Sequence, residues 1–288
     1  MLTIFTPTYN RADKLPRLYD SLCRQSSYNF EWLIIDDGST DNTAEIAVAF
    51  TEEKRFSVRY IRKENGGKHT AYNLALEQAQ GEWFLCVDSD DYLAEDAAGK
   101  LLDKLQDVQN ASGLIAYKEN INGKRLSGYF PQGLEQEKMH RLSLVHGCGG
   151  EFTLVFSTAF ARKFPFPVFP GERFVTECVI YDQMDFWGEM VLFPEVITIC
   201  EYQADGYSQN ANAVMKKNPN GYCLYFLQRI DLQVKLLPRI IHAGKYWCFR
   251  WICGNKSLKY KGKHKFLVAL SIIPGAVFRI YYKLFRKI

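Results

Sequence analysis

The 288-residue chain predicts an α/β protein built on a mostly parallel sheet flanked by helices, followed by a helical, basic extension. Strand and helix signals alternate through the first hundred residues. Three of those strands run into polar clusters, which a parallel sheet brings to one edge. The charge is also split. Residues 216–288 hold sixteen Lys and Arg against one acid, Asp231, a net +15, which leaves residues 1–215 at −11 within an overall +4.

Leu2-Thr3-Ile4-Phe5 reads as the first strand, expected to stop at Pro7 because proline donates no ladder hydrogen bond. Leu15, Leu18 and Leu22 recur at helical spacing. Trp32-Leu33-Ile34-Ile35 is a second strand ending at Asp36-Asp37-Gly38-Ser39, and Ser39 or Thr40 can cap the helix that follows. Val58-Arg59-Tyr60-Ile61 is a third, ending at Asn65-Gly66-Gly67. A helix over residues 68–80 closes at Gly81, a fourth strand covers residues 82–87, and Ala97, Leu101, Leu105 and Val108 mark the next helix. This order implies right-handed crossovers.

The pattern loosens between residues 110 and 215. Leu114-Ile115-Ala116-Tyr117 and Phe152-Thr153-Leu154-Val155-Phe156 read as strands, Pro165, Pro167 and Pro170 as an irregular loop, and residues 186–196 as strand and turn. From residue 222 the chain reads as helical. Its most hydrophobic stretch, residues 266–285, contains Pro274, Gly275, Arg279 and Lys283 and is flanked by Lys259, Lys261, Lys263, Lys265, Arg286 and Lys287. That favours a segment lying on an anionic membrane surface over one that spans it; packing as a homodimer interface is the alternative. The expected division is a domain over 1–215, with halves 1–100 and 101–215, and an extension over 216–288.

Eight cysteines lie mostly inside apolar runs with no CxxC spacing, which predicts reduced buried thiols in a cytosolic protein and argues against zinc. The first residues lack a charged region and a long apolar run, so no signal peptide is expected. No nucleic-acid motif accompanies the basic tail, which predicts no nucleic-acid partner.

The chemistry concentrates at Val87-Asp88-Ser89-Asp90-Asp91. Unpartnered buried carboxylates are costly, so three acids at a strand tip call for water, a cation or a ligand. Asp-x-Asp suits Mg²⁺ or Mn²⁺, which prefer oxygen ligands and often bind through one or two carboxylates plus substrate phosphates. Four further clusters precede it in order: Thr6-Pro7-Thr8-Tyr9-Asn10, Asp36-Asp37-Gly38-Ser39-Thr40-Asp41, Asn65-Gly66-Gly67-Lys68-His69 and Gly81-Glu82.

The series resembles that of family 2 inverting glycosyltransferases with the GT-A fold, a Rossmann-like α/β architecture, and the resemblance covers roughly residues 1–100. It implies a nucleotide-sugar donor, with UDP favoured, and transfer with inversion at the anomeric carbon. Carried over by position, Thr6, Pro7 and Tyr9 hold the nucleoside, with Tyr9 near the base. Asp37 meets the uracil edge, while Asp36 stabilises the turn. Gly66 and Gly67 allow close backbone approach, and Lys68 reaches phosphate. Asp88 and the adjacent Ser89 face the donor, with Asp88 contacting ribose or metal. Asp90 is the principal metal ligand, and Asp91 and His69 are structural. Tyr202-Gln203-Ala204-Asp205-Gly206-Tyr207-Ser208 resembles the late segment that closes over the diphosphate.

Inversion needs a base that takes the acceptor hydroxyl proton. Glu177 matches the family position, although the common acidic pair is absent; Asp182 and then Asp185 compete, and Glu172 is a further acid nearby. The acceptor implied by relatives is a growing glycan, lipid-linked and met at the inner face of the cell membrane. The rival is a nucleotide-sugar-binding scaffold without catalysis, which loss of Asp90 or of the base would favour.

Overall fold

Strand β1 (Leu2–Thr8) and strand β2 (Phe30–Asp36) are buried along their whole length, as expected for parallel strands covered on both faces. The computed structural model describes residues 1–201 and 211–286. Helix α1 (Leu15–Cys23) links β1 to β2, α2 (Thr43–Glu52) links β2 to β3 (Ser57–Arg62), and α3 (Lys68–Gln78) leads into β4 (Trp83–Cys86). There follow β5 (Tyr92–Leu93), α4 (Ala97–Gln106), β6 (Gly113–Asn120), β7 (Gln136–Glu137), α5 (Met139–Leu144), β8 (Phe152–Ser157), α6 (Thr158–Ala161), α7 (Cys178–Trp187) and β9 (Met190–Cys200). Five helices follow: α8 (Ala211–Lys217), α9 (Pro219–Leu232), α10 (Leu236–Cys253), α11 (Lys265–Leu270) and α12 (Ile272–Tyr281), the last running into a π-helical turn, Tyr282–Arg286.

The strands form one nine-stranded sheet in the order β3-β2-β1-β4-β8-β6-β9-β5, with β7 pairing β9. Strands β1 to β4 are mutually parallel, whereas β8 runs antiparallel to β4 and to β6. The mostly parallel expectation therefore holds for the first half, and the second half is mixed. Apolar residues of α1, α2 and α4 cover one face, packing with Leu2, Ile4, Trp32 and Ile34. An aromatic stack runs through that layer, with the Tyr19 and Phe50 rings 4.2 Å apart. Phe5, Tyr72 and Phe84 cluster with centroid distances of 5.3 to 5.8 Å.

Pro7 does not stop β1. The β1–β4 pairing ends at Phe5 and Cys86, followed only by the bond from the Val87 amide to the Phe5 carbonyl. Phe5 and Pro7 direct their main-chain groups toward β4, so the bond the proline forgoes is the next one on that side, where the β1–β4 pairing ends, while the pairing with β2 carries β1 on to Thr8. A second correction concerns residues 186–187, which extend helix α7 instead of starting a strand.

The chain divides into two compact units, Met1–Pro165 with Met184–Gln203 and Phe166–Gln183 with Ala204–Ile288. This differs from a single boundary at residue 215. Residues 166–183 belong with the C-terminal helices because their polar groups are satisfied there. Glu172 accepts from the Asn220 amide, the Asn220 Nδ2 and the Gly221 amide at 2.6, 2.8 and 2.9 Å, closing the start of α9. Asn218 Oδ1 accepts from the amides of Arg173 and Phe174 at 2.9 and 3.0 Å. The core of this unit is Cys223, Phe226, Ile230, Tyr246, Phe249 and their neighbours. All eight cysteines are free thiols; Cys148, Cys200, Cys223 and Cys248 are buried as expected, whereas Cys23, Cys86, Cys178 and Cys253 are half-buried.

Candidate active site

Parallel register brings the ends of β1, β2 and β3 level: Thr8 lies beside Asp36, and Asp36 beside Arg62. Strand β4 stops at Cys86, opposite Phe5, so the carboxylates after it begin while β1 still runs alongside. Hydrogen bonds then tie the strand-end loops together. The Asp37 amide donates to the Thr8 carbonyl at 2.9 Å, the Asn10 amide to Ser39 Oγ at 2.9 Å, and the Thr40 amide to Asn10 Oδ1 at 2.8 Å. Asn65 Nδ2 reaches the Asp37 carbonyl at 2.9 Å.

The Asp36 carboxylate is fully buried. It accepts from the Ser39 amide at 2.8 Å and the Tyr60 hydroxyl at 2.7 Å, which is the turn-stabilising role expected of it. Asp37 accepts from Lys63 Nζ at 2.6 Å and from the amides of Gly66 and Gly67 at 2.9 and 2.7 Å. The two glycine amides thus converge on Asp37, binding the β3–α3 loop to the end of β2. Gly67 has φ +93°, a conformation strained for any side chain.

Thr6 was expected at the nucleoside, but its side chain is fully buried and its hydroxyl accepts from the Trp32 indole at 2.9 Å. Pro7 is likewise a buried strand residue. Tyr9 and Asn10 are the exposed members of this segment, and Ser89 is buried beside the carboxylates. His69 is buried at the start of α3, and burial holds its imidazole below the usual histidine range.

The three carboxylates after β4 separate by partner. Lys68 Nζ lies 2.7 and 2.9 Å from the two oxygens of Asp88. Burial pushes the Asp88 carboxyl up, but the ammonium groups of Lys68 and Lys118 outweigh it and hold the group below its ordinary value. Lys118 Nζ sits 2.5 Å from Asp91, and Asp91 and Asp88 together keep the ammonium above its usual range despite burial. Among the described residues Asp90 has no ion-pair partner. Its carboxyl is pushed up first by burial and then by the charge on Asp88. Its main-chain carbonyl accepts from Arg17 Nη2 at 2.6 Å, and Arg17 is itself paired with Glu201 at 2.7 Å.

This donor set fits a hard divalent cation. Asp90 has no ion-pair partner among the described residues, and Asp88 stands two residues away with its oxygens on Lys68. Among the described residues no group of three or more His, Cys, Asp or Glu is placed to hold a metal, so the remaining ligands would have to come from substrate and solvent.

Sequence reasoning missed Lys118, Arg17 and Lys63. The first had a signal: a lysine ending the apolar run Leu114-Ile115-Ala116-Tyr117 is a cation carried toward a core and needs an acid.

Of the candidate bases, Asp182 accepts from Arg229 Nε at 2.6 Å and is nearly buried. Asp185 accepts from the amides of Met139 and His140, both at 2.6 Å, and meets His140 Nδ1 at 2.5 Å; it fastens the start of α5. Glu172 serves α9. Glu177 is half-buried immediately before α7. The segment expected to close over the diphosphate, residues 202–208, lies outside the described residues.

The parallel half-sheet with an acidic strand-end edge defines a nucleotide-sugar-transferase type of fold, and comparison with known proteins identifies the family. The profile described as Glycosyl transferase family 2 matches residues 3–164, more than half of the chain, and the chain belongs to that family. It is 31% identical over 150 residues to the poly(ribitol-phosphate) β-N-acetylglucosaminyltransferase TarS of Staphylococcus aureus, covering 50% of this chain and 25% of that protein. It is 32% identical over 150 residues to the chondroitin synthase of Pasteurella multocida, covering 51% of this chain and 15% of the synthase. The chain thus spans a quarter or less of the length of these relatives. The crystal structure of S. aureus TarS 1–349 in complex with UDP-GlcNAc superposes with a TM-score of 0.60 at 17% identity, covering 98% of this chain and 91% of that one. The mannosyltransferase PcManGT of Pyrobaculum calidifontis, in complex with GDP-Man and Mn²⁺, does so with 0.55 at 18% identity, covering 97% and 80%. These likenesses establish the GT-A fold.

Proposed function

We propose that the chain is a metal-dependent inverting glycosyltransferase that moves a hexosyl or N-acetylhexosaminyl group from a nucleotide diphosphate, UDP foremost, to a hydroxyl of a growing, lipid-linked surface glycan at the inner face of the membrane. The observation that carries this reading is the separation of the three carboxylates: Asp88 is held by Lys68 and Asp91 by Lys118, while Asp90 has no ion-pair partner among the described residues. A bound Mg²⁺ or Mn²⁺ would supply positive charge to offset the departing diphosphate. Asp90 would hold it, with Asp88 alongside and donor phosphates completing the set. The relatives captured with UDP-GlcNAc and with GDP-Man and Mn²⁺ support a nucleotide-diphosphate sugar and a divalent cation.

UDP is favoured through Asp37. A carboxylate offers about four acceptor positions, and Lys63, Gly66 and Gly67 fill three. The remaining position would accept from an imide N–H, as uracil presents. Exposed Tyr9 is placed to cover a base. Glu177 is the proposed base because it matches the family position; Asp182 is held by Arg229 and Asp185 fastens the start of α5. A nucleotide-sugar hydrolysis screen with Mn²⁺ tests the whole reading. Release of UDP from a UDP-sugar, abolished by chelator, is expected; turnover that ignores chelator removes the metal, and no turnover of any donor removes the activity.

A further inference from the structure

Helix α12 presents its faces in an unusual order. The side toward α10 is built from small residues and tight contacts: a Cβ on Gly275 would meet the Trp247 Cβ at 2.6 Å, and one on Gly244 would meet the Pro274 Cβ at 2.9 Å. Gly275 and Ser271 are buried, as is Tyr282 just beyond the helix. The opposite side is apolar and uncovered. Ile273, Val277 and Ile280 recur at helical spacing, Leu284 follows in the π-helical turn, and Phe266 precedes them in α11; each leaves 60–78% of its surface exposed. A surface helix ordinarily turns polar residues outward, so this face is shaped for a partner.

The charges around it identify that partner. Lys259, Lys261, Lys263 and Lys265 are exposed ahead of the face and Lys283 is exposed near its end. No acid occurs after Asp231. Two copies meeting through this face would set lysines against lysines with no acids from the same region to pair them. An anionic lipid leaflet neutralises them. No helix among the described residues is long and apolar enough to cross a membrane, and the α11–α12 pair is broken at Ser271.

We propose that α11 and α12 lie in the plane of an anionic bilayer surface, with Ile273, Val277, Ile280 and Phe266 facing the acyl boundary and the lysine cluster of residues 259–265 among phosphate headgroups. The proposal takes its purpose from the glycosyltransferase reading, since this surface is where a lipid-linked acceptor is met. Its support is independent, being the exposed apolar face and its charge.

Flotation of the full chain with phosphatidylglycerol–phosphatidylcholine vesicles against pure phosphatidylcholine tests it. Binding is expected to the anionic vesicles and to fall steeply with salt. Each lysine near an anionic leaflet favours binding roughly fivefold, so Lys261→Ala/Lys263→Ala/Lys265→Ala should weaken it about a hundredfold. Val277→Ser/Ile280→Ser, at exposed positions that leave the α10 contact intact, should also weaken it while the circular dichroism melt stays unchanged. Absence of vesicle binding, or equal binding to both lipids with no response to either variant, overturns the proposal. So does a dimer by light scattering that the serine variant dissociates, which assigns the face to a second copy. UDP-sugar hydrolysis without vesicles, read in the same samples, separates the two readings: vesicle binding without turnover defeats the enzyme assignment alone, and turnover without vesicle binding defeats the docking alone.

Discussion

Replacing Lys118 by methionine removes the ammonium 2.5 Å from Asp91 while keeping most of the side-chain volume. The Asp91 side chain is 5% exposed and that of Lys118 17%, so solvent screens the pair little. Breaking a buried ion pair from one side costs about 3–5 kcal/mol, because the surviving charge stays desolvated. The lower end applies here, since the Lys118 side chain keeps part of its surface in solvent. About 3 kcal/mol corresponds to a melting temperature lower by roughly 6–12 °C for a chain of this size. The deficit also has a pH signature. Asp88 is held below its ordinary value partly by Lys118, so it contributes stability above the unfolded carboxylate pKa of about 3.9 that is lost as pH falls through its depressed folded value. The variant forfeits part of that contribution, and protonating Asp91 relieves its uncompensated charge. The gap between variant and wild type should therefore be widest near neutral pH and narrow on acidification. Thermal melts at several pH values measure this, and Lys118→Met/Asp91→Asn should recover most of the loss. A loss of under about 2 °C, or a double variant as destabilised as the sum of the singles, would show that the pair does not organise this edge.

Two predictions concern the chemistry. Asp90→Asn should abolish Mn²⁺-dependent donor turnover with little change in melting temperature, since among the described residues no ion pair holds that carboxylate; retained full activity would remove Asp90 from the metal. Glu177→Gln should eliminate transfer while donor binding, followed by calorimetry with UDP, is spared. Asp182→Asn should instead lower stability by about 2–3 kcal/mol by stranding Arg229, and a clean loss of transfer without destabilisation would move the base from Glu177 to Asp182.

The parallel half of the fold was legible because its signals are local: apolar runs of strand length, helical spacing of Leu15, Leu18 and Leu22, and turn residues between them. The errors arose where a local rule met a tertiary circumstance. Pro7 ends only the pairing on the side its absent donor faces, toward β4, and the ladder to β2 carries the strand on to Thr8. Residues 166–183 read as part of the domain over 1–215 because their anchors, Asn218, Gly221 and Arg229, lie 44 to 49 residues downstream.

The site shows the same limit in sharper form. Sequence position placed Asp88, Asp90 and Asp91 at one strand tip, but their roles depend on cations supplied by other elements. Lys68 arrives with α3 and Lys118 with β6, and each neutralises one acid. Gly66 and Gly67, expected to allow close backbone approach, direct their amides onto Asp37, and Lys68, expected on phosphate, spans Asp88. Groups expected to hold the donor therefore hold one another in this structure. A cation bound at Asp90 would weaken the field that keeps Lys68 on Asp88, freeing an ammonium for the donor's diphosphate. On the proposed reading the Lys68–Asp88 pair would balance the edge until the donor binds, and metal and donor should bind synergistically. Lys68→Met should therefore reduce the gain in UDP affinity that Mn²⁺ confers, and an unchanged gain would show the pair to be only structural.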